Sequence, residues 1–400
     1  MPGFSPLLDR FQPSAIVGVS NLAARLSYQG VKLYNFSIGE PDFATPEHIC
    51  QAAIAAIDRG QTKYSPTDGS IALREAVQRK FKRDSGFEFS LNQIVATSGA
   101  KPLIADILRT ITAEGDDIVL AVPAWTSHVG MINLVGANAV FVATSQQTSF
   151  RMTPQALDAV MTDKTRAVLL CAPANPSGAV YSRSEMKALA EVLAKYPDAW
   201  IISDDLYEHI VFDKKCFHSI LEVAPELAGR TVLVNGVSKA YAMTGWRIGF
   251  GAGPVALMDG VRKLMSQSTG CTCSISEEAA IAALDGPLDC VHTFVAAYQA
   301  RRDLAVAALN RIEGIECLSP GGAFYLYPSC AGLIGRRKPD GSIIESSSDV
   351  ATYLLKDWSV VTVPGSAFEL DPHLRFSIAT AEQEIVAGIG RIAEAVDALQ

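Results

Sequence analysis

Lys239 follows an apolar run, Thr231 to Val234, and stands eight residues before Arg247 in the stretch V-N-G-V-S-K-A-Y-A-M-T-G-W-R-I-G-F-G. An amine drawn out of water gives up its proton more readily, because burial disfavours the charged form. Once neutral, it attacks carbonyls and can form a Schiff base. Arg247 offers a permanent cation with a planar fork of donors, suited to a phosphate or a carboxylate. Taken alone, a lysine beside Ser and Gly reads equally as an exposed loop residue; the chemical reading depends on what other segments place beside it.

Several chemically capable residues sit just after apolar runs. Ser98-Gly99-Ala100-Lys101-Pro102 opens a helix whose free N–H groups and dipole suit an anion. Val122-Pro123-Ala124-Trp125-Thr126-Ser127-His128 offers an indole face for an aromatic ring. His128 itself reads as an ordinary loop or satisfied core histidine rather than a catalyst. Asn175 stands in the turn A-P-A-N-P-S-G, and Asp204-Asp205-Leu206-Tyr207-Glu208 follows Ile201-Ile202-Ser203. Adjacent acids point different ways, so one of Asp204 and Asp205 is expected to face a ligand.

The elements that must position these residues form an alternating pattern. Strand candidates are Gln93 to Thr97, Asp117 to Val122, Ala139 to Val142, Ala167 to Cys171, Trp200 to Ser203, Thr231 to Val234 and Arg247 to Gly251, with helices between them. That alternation predicts an α/β domain on a largely parallel sheet, in which ligands gather at the carboxyl ends of strands. Upstream, residues 5 to 30 read as an N-terminal arm entering a helix near Pro13 and Ser14. Leu33 to Phe43 reads as a short strand entering a turn where Gly39, lacking a β-carbon, can bring backbone close to a ligand. Helices are expected over 46 to 59 and 70 to 84. In the loop between them Tyr64 reads as either a surface aromatic or a hydroxyl donor to phosphate.

The 400 residues, 49% hydrophobic, are enough for a large core and a smaller second one. A net charge of -8 with interspersed signs argues against nucleic acid or an anionic membrane as the main partner. The N-terminus lacks a basic segment followed by an apolar one, and no apolar window reaches the length of a membrane span, which points to a cytoplasmic protein. The eight cysteines are scattered; Cys271 and Cys273 form a C-x-C pair without the further ligands of a metal site, so no metal is expected. Arg336 to Gly341 reads as a solvated hairpin tip.

Amine, acid, tyrosine, asparagine, indole and a cationic cup together match the needs of pyridoxal phosphate. The motifs G-V-S-K-A-Y-A-M-T-G-W-R-I-G-F, N-P-S-G-A-V-Y, S-D-D-L-Y-E, F-S-I-G-E-P-D-F and K-Y-S-P-T-D-G also resemble the class I aminotransferases of fold type I, in the bacterial aspartate and aspartate/prephenate branch. The resemblance runs from about residue 10 to the C-terminus. It implies a large cofactor domain over residues 44–295 with a mostly parallel seven-stranded sheet. Residues 1–43 and 296–400 would form a smaller α+β domain that rotates onto substrate. It further implies a homodimer with shared active sites.

By that resemblance Lys239 would bind the cofactor aldehyde and shuttle the proton. Asp204 would pair with the pyridine nitrogen, Tyr207 and Asn175 with the phenolate oxygen, and Trp125 with the ring face. Arg247 and the amides of Gly99, Ala100 and Lys101 would hold the phosphate, joined by the partner subunit's Tyr64. Arg375, in L-R-F-S-I-A, would clamp the substrate α-carboxylate, with Gly39, Trp125 and Asn175 completing that pocket. The chain departs from the family where P-Y-W-x-x-Y is P-A-W-T-S-H and where S-N-P is G-C-T. Ser266 lies near where another branch carries an arginine for dicarboxylates, which leaves Lys101 and Ser14 as candidates for that task. The expected reaction is a ping-pong transfer between an L-amino acid, aspartate or glutamate, and a 2-oxo acid such as 2-oxoglutarate, oxaloacetate, prephenate or an aromatic one. Alternatives are a lyase or decarboxylase on the same cofactor, or a pyridoxal-sensing regulator, for which the chain offers no basic DNA-binding module.

Overall fold

The computed structural model describes residues 9–10 and 15–400. The expected helix start at Pro13 and Ser14, and the specificity role considered for Ser14, lie outside the described residues; the helix itself is described over Ala15–Tyr28. The strands in chain order are β1 (Tyr34–Asn35), β2 (Ile94–Thr97), β3 (Asp117–Ala121), β4 (Asn138–Val142), β5 (Thr165–Cys171), β6 (Trp200–Asp204), β7 (Thr231–Gly236), β8 (Gly249–Ala252), β9 (Tyr325–Leu326), β10 (Val360–Val361), β11 (Val363–Pro364) and β12 (Leu374–Ser377).

Seven of them form the main sheet in the order β2-β8-β7-β6-β5-β3-β4. Strand β8 runs antiparallel to both neighbours, and the other adjacent pairs are parallel. Their sequences are continuous apolar runs because both faces are covered: β7 is buried along its whole length. On one face lie helices Glu47–Asp58, Ile71–Ser85, Arg183–Leu193 and Ser274–Asp285, sharing a core with Leu233 and Phe250. On the other lie Ala100–Ile111, Thr126–Leu134 and Val255–Met265, packed with Val95 and Val234.

One strand starts later than the sequence suggests. The run from Arg247 enters the sheet only at Gly249, because Arg247 adopts a left-handed backbone (φ 58°) that no strand can include. That twist turns the Arg247 side chain toward the start of helix Ala100–Ile111. Gly249 is needed directly behind it, since a β-carbon there would stand 2.3 Å from the amide nitrogen of Ala100.

A further core is built around Phe36, Tyr298, Phe324, Tyr325 and Phe376, with helices Asp289–Leu309, Ser347–Trp358 and Glu382–Asp397. Strands β11, β12 and β9 form an antiparallel sheet in it, and β1 pairs with β10. The helix Asp289–Leu309 serves two cores: Val291 packs with the main sheet's helices, Tyr298, Ala305 and Leu309 with the C-terminal elements. The segment after β1 is pinned to this helix, with Phe43 stacked on Phe294 at 4.2 Å and Asp42 bonded to Arg301 at 2.8 Å. Among the described residues no single helix is long and apolar enough to cross a membrane.

The turn after β6 is anchored from behind by buried charge. Lys80, 2% exposed on helix Ile71–Ser85, forms an ion pair with Glu208 and lies 3.6 Å from Asp84. His209 approaches Asp84 at 3.3 Å and Glu208 at 3.4 Å. Asp84, Glu208 and His209 converge as metal ligands would, but the Lys80 ammonium already supplies the cation there. Burial is the largest influence on the Asp84 carboxyl and pushes its pKa up; hydrogen bonds from His209 and Arg83 and the Lys80 charge outweigh it and hold the group well below the usual carboxylate range. Removing one member of such a pair leaves an uncompensated buried charge, so Lys80→Met should lower stability by about 3–5 kcal/mol in urea unfolding. The Lys80→Met/Glu208→Met double variant should recover most of that loss. A Lys80→Met protein as stable as the parent would contradict this role.

Candidate active site

The carboxyl ends of β2, β5, β6 and β7 open onto one cavity of about 430 Å³, whose lining includes Lys239, Asp204, Asn175, Tyr207, Trp125, Arg247 and Arg375. Register explains the convergence: Cys171 at the end of β5 pairs with Asp204 at the end of β6, which pairs in turn with Val234 of β7. Three loops leaving one sheet edge therefore emerge side by side. Gly39, Ala100 and Lys101 line the same cavity. Tyr64 does not line this cavity and is 98% exposed.

The Lys239 amine donates a hydrogen bond to the Gly39 carbonyl at 2.5 Å. Its pKa is lowered from 10.5 to about 8, chiefly by burial and next by the charge of Arg375, with Arg247 acting the same way and Glu40 and Asp204 opposing. About a tenth of the amine is therefore the neutral nucleophile at pH 7, against well under about one in a thousand for a lysine of ordinary pKa.

Asp204 accepts from, or pairs with, the His128 imidazole at 3.0 Å, and both groups are buried. Asp205 turns the other way, taking the Ser203 hydroxyl at 2.6 Å; burial pushes its carboxyl up to about 8. Of the two adjacent acids, then, Asp204 alone lines the cavity. His128, expected to be an unremarkable loop or core residue, is a buried core histidine that also fixes the cavity acid. The ring of Trp125 meets His128 edge-on at 5.0 Å, and the Lys101 ammonium lies 5.1 Å from the Trp125 ring.

Arg247 donates to the carbonyls of Thr244 at 3.0 Å and Ser98 at 3.1 Å. Gly99 (φ 97°) caps the helix that starts at Ala100, and a β-carbon there would collide with the Arg247 guanidinium at 2.2 Å. The glycine thus brings a fixed cation against a helix N-terminus with no acidic side chain in its first turn, which together make an anion cradle.

Arg375 lies almost fully buried on β12, held by the Ser37 carbonyl at 2.5 Å and the Asn175 amide oxygen at 3.3 Å. Its Nε has no hydrogen-bond partner among the described residues. Burial, the main influence, lowers the Arg375 pKa, and a buried guanidinium without a carboxylate beside it calls for an anion. Ser37 is itself fixed by Asn35, whose side-chain oxygen takes both the Ser37 amide at 3.0 Å and hydroxyl at 2.7 Å. Tyr207 and Tyr325 meet hydroxyl to hydroxyl at 2.9 Å. Glu40, Thr244, Ser238 and Tyr325 also line the cavity, and sequence reasoning missed all four. Tyr325 in G-G-A-F-Y-L-Y looks like any core strand residue, and only pairing of β9 with β12 brings it to the site.

These groups fit pyridoxal phosphate: a depressed amine, a buried acid, an indole wall and a cationic cradle at a helix start. The comparisons agree. The family model for aminotransferase class I and II matches residues 31–392, and the chain belongs to that family. It is 42% identical over 399 residues to an aspartate aminotransferase of Rhizobium meliloti, covering 99% of this chain and 97% of that one. An aspartate/prephenate aminotransferase of Cereibacter sphaeroides is 41% identical over 392 residues, 98% of each chain. Among solved structures, the Rhizobium meliloti aspartate aminotransferase superposes with a TM-score of 0.96 at 42% identity, over 100% of both chains. Aspartate aminotransferase from Thermus thermophilus with maleate gives 0.91 at 34% identity, over 99% of this chain and 100% of that one. The protein is a pyridoxal-phosphate-dependent aminotransferase acting on an amino acid and a 2-oxo acid.

The depressed lysine has a sign that can be checked. Between pH 8 and 10.5 the unfolded chain keeps the Lys239 proton that the folded one releases, so the folded apoprotein is penalised below pH 8 and relieved as pH rises through that window. Lys239→Met apoprotein should therefore melt above the parent at pH 7, with the gap closing toward pH 10.5. Equal melting temperatures at both ends would contradict the depressed pKa.

Proposed function

We propose that the enzyme transfers the amino group of a dicarboxylic L-amino acid, aspartate or glutamate, to a 2-oxo acid, 2-oxoglutarate or oxaloacetate, with prephenate as a further acceptor. Arg375 carries the reading: a buried fork with a spare donor beside the cavity suits an α-carboxylate. Lys101, beside Trp125 in the same cavity, supplies a cation for a second carboxylate. Relatives are named aspartate and aspartate/prephenate aminotransferase, which supports both acceptor classes.

When bound, pyridoxal phosphate supplies an aldehyde that condenses with amines and a ring that takes up the electron pair left by a departing α-proton. Lys239 would hold the cofactor aldehyde, and its Nζ, once neutral and free, would be the base for the substrate α-proton. Asp204, kept in place by His128, would pair with the ring nitrogen and favour its protonated form. Tyr207 and Asn175 would donate to the ring oxygen, and Trp125 would cover the ring. Arg247 with the amides of Gly99, Ala100 and Lys101 would hold the phosphate. Arg375, which lines the same cavity as Lys239, would hold the substrate α-carboxylate.

The assembly we infer is a homodimer in the cytoplasm. Tyr64 projects from its own surface, and Ile54, Ile57 and Ile71 nearby in sequence are also exposed, which suits a face covered by a second copy reached by the partner subunit's Tyr64. We further infer that residues 44–295 form the cofactor domain and that the elements after residue 295, with the N-terminal segment, rotate as the smaller one. The helix Asp289–Leu309, which crosses that division, would carry the motion.

A panel of amino donors and 2-oxo acids tests the substrate assignment, with aspartate and glutamate expected to give the highest kcat/KM. In the same assay Arg375→Lys, which keeps the charge and loses the fork, should reduce kcat/KM for every donor by about 30-fold or more, the effect of truncating a buried charged hydrogen-bonded pair. Full activity in Arg375→Lys, or a donor preference for uncharged side chains only, would overturn the reading.

A further inference from the structure

Two tyrosines meet at the inner wall of the cavity from different sheets. Tyr207 rides on the turn after β6 of the main sheet, Tyr325 on β9 of the three-stranded sheet, and their buried hydroxyls are 2.9 Å apart. The Tyr325 ring lies 4.8 Å from the guanidinium carbon of Arg375, and its strand pairs with β12 so that Tyr325 stands opposite Ser377, two residues beyond Arg375. Gly39 makes room for the hydroxyl: a β-carbon there would be 2.9 Å from it. Among the described residues, Tyr207 is the hydrogen-bond partner of the Tyr325 hydroxyl.

Each phenol has a single proton to donate. With the Tyr207 proton committed to the cofactor's ring oxygen, the contact between the two hydroxyls can persist only if Tyr325 is the donor. A hydroxyl that accepts one hydrogen bond donates a stronger one, so the pair acts in series. We propose that Tyr325 is a positioning residue for amino transfer: its hydroxyl aims and strengthens the hydrogen bond from Tyr207 to the ring oxygen, while its ring ties that bond to the Arg375 clamp. This rests on the role given above to Tyr207. Substrate seating at Arg375 and the electronics of the cofactor are thereby joined through one side chain.

The other titratable groups facing the pair are Cys171 from β5, Lys239 after β7, Arg375 from β12 and Tyr298 on helix Asp289–Leu309. None of them is removed when Tyr325 loses its hydroxyl, so Tyr325→Phe isolates the contact. The measurement is the pH midpoint of the visible absorbance band in the holoenzyme, for the parent, Tyr207→Phe, Tyr325→Phe and the double variant, with melting temperature as a folding control. Losing a donor leaves the ring oxygen more basic and the neighbouring imine proton more tightly held, so Tyr207→Phe should raise the midpoint. Tyr325→Phe should raise it in the same direction by about half a pH unit, and the double variant should match Tyr207→Phe, because the two act through one bond. Since Phe keeps a ring under Arg375, kcat should fall with KM for the amino donor unchanged. A Tyr325→Phe midpoint equal to the parent's, or shifts that add in the double variant, would overturn the proposal and leave the role of Tyr207 intact. No shift in Tyr207→Phe would overturn both.

Discussion

An amine can act on a carbonyl only after losing its proton, and the position of Lys239 answers that requirement. Burial acts first, and the positive charges of Arg375 and Arg247 act after it, bringing the pKa to about 8. The two arginines must be there in any case, one against a helix N-terminus and one beside the cavity. The cations that suit anionic groups of cofactor and substrate therefore also prepare the nucleophile. Occupation of either by an anion would weaken its push, so the amine should regain protons as the site fills.

The fold makes this arrangement rigid by tying each charged group to backbone. Arg247 is locked onto two carbonyls by a left-handed residue, and Arg375 is held by the Ser37 carbonyl, itself set by Asn35. Behind the cavity the Lys80 and Glu208 pair fixes the turn that carries Tyr207, and His128 fixes Asp204. Reacting groups are thus preorganised by a surrounding layer of polar contacts rather than by packing alone.

Much of this was legible in the sequence because parallel strands buried on both faces leave long apolar runs, and the residues after those runs must share one sheet edge. Lys239, Asp204, Asn175 and Trp125 were found that way. Other residues gave no such sign. His128 sits on a helix, and its partner lies 76 residues away; Tyr325 reaches the cavity only through pairing of two short strands outside the main sheet. Lys80 is one of two lysines on the helix Ile71–Ser85, and its burial is a tertiary fact. The start of β8 was misplaced because a positive φ at an arginine has no composition signal. For Arg375 the local pattern showed only a lone strand arginine; family resemblance, not periodicity, singled it out.

The most direct measurement is borohydride reduction of the protein loaded with pyridoxal phosphate, followed by peptide mass spectrometry. The account predicts one reduced pyridoxyl adduct per chain, on the peptide containing Lys239, and none after substrate has been added in excess to convert the cofactor to its amine form. An adduct on Lys101 or another lysine, with Lys239 unmodified, would contradict it.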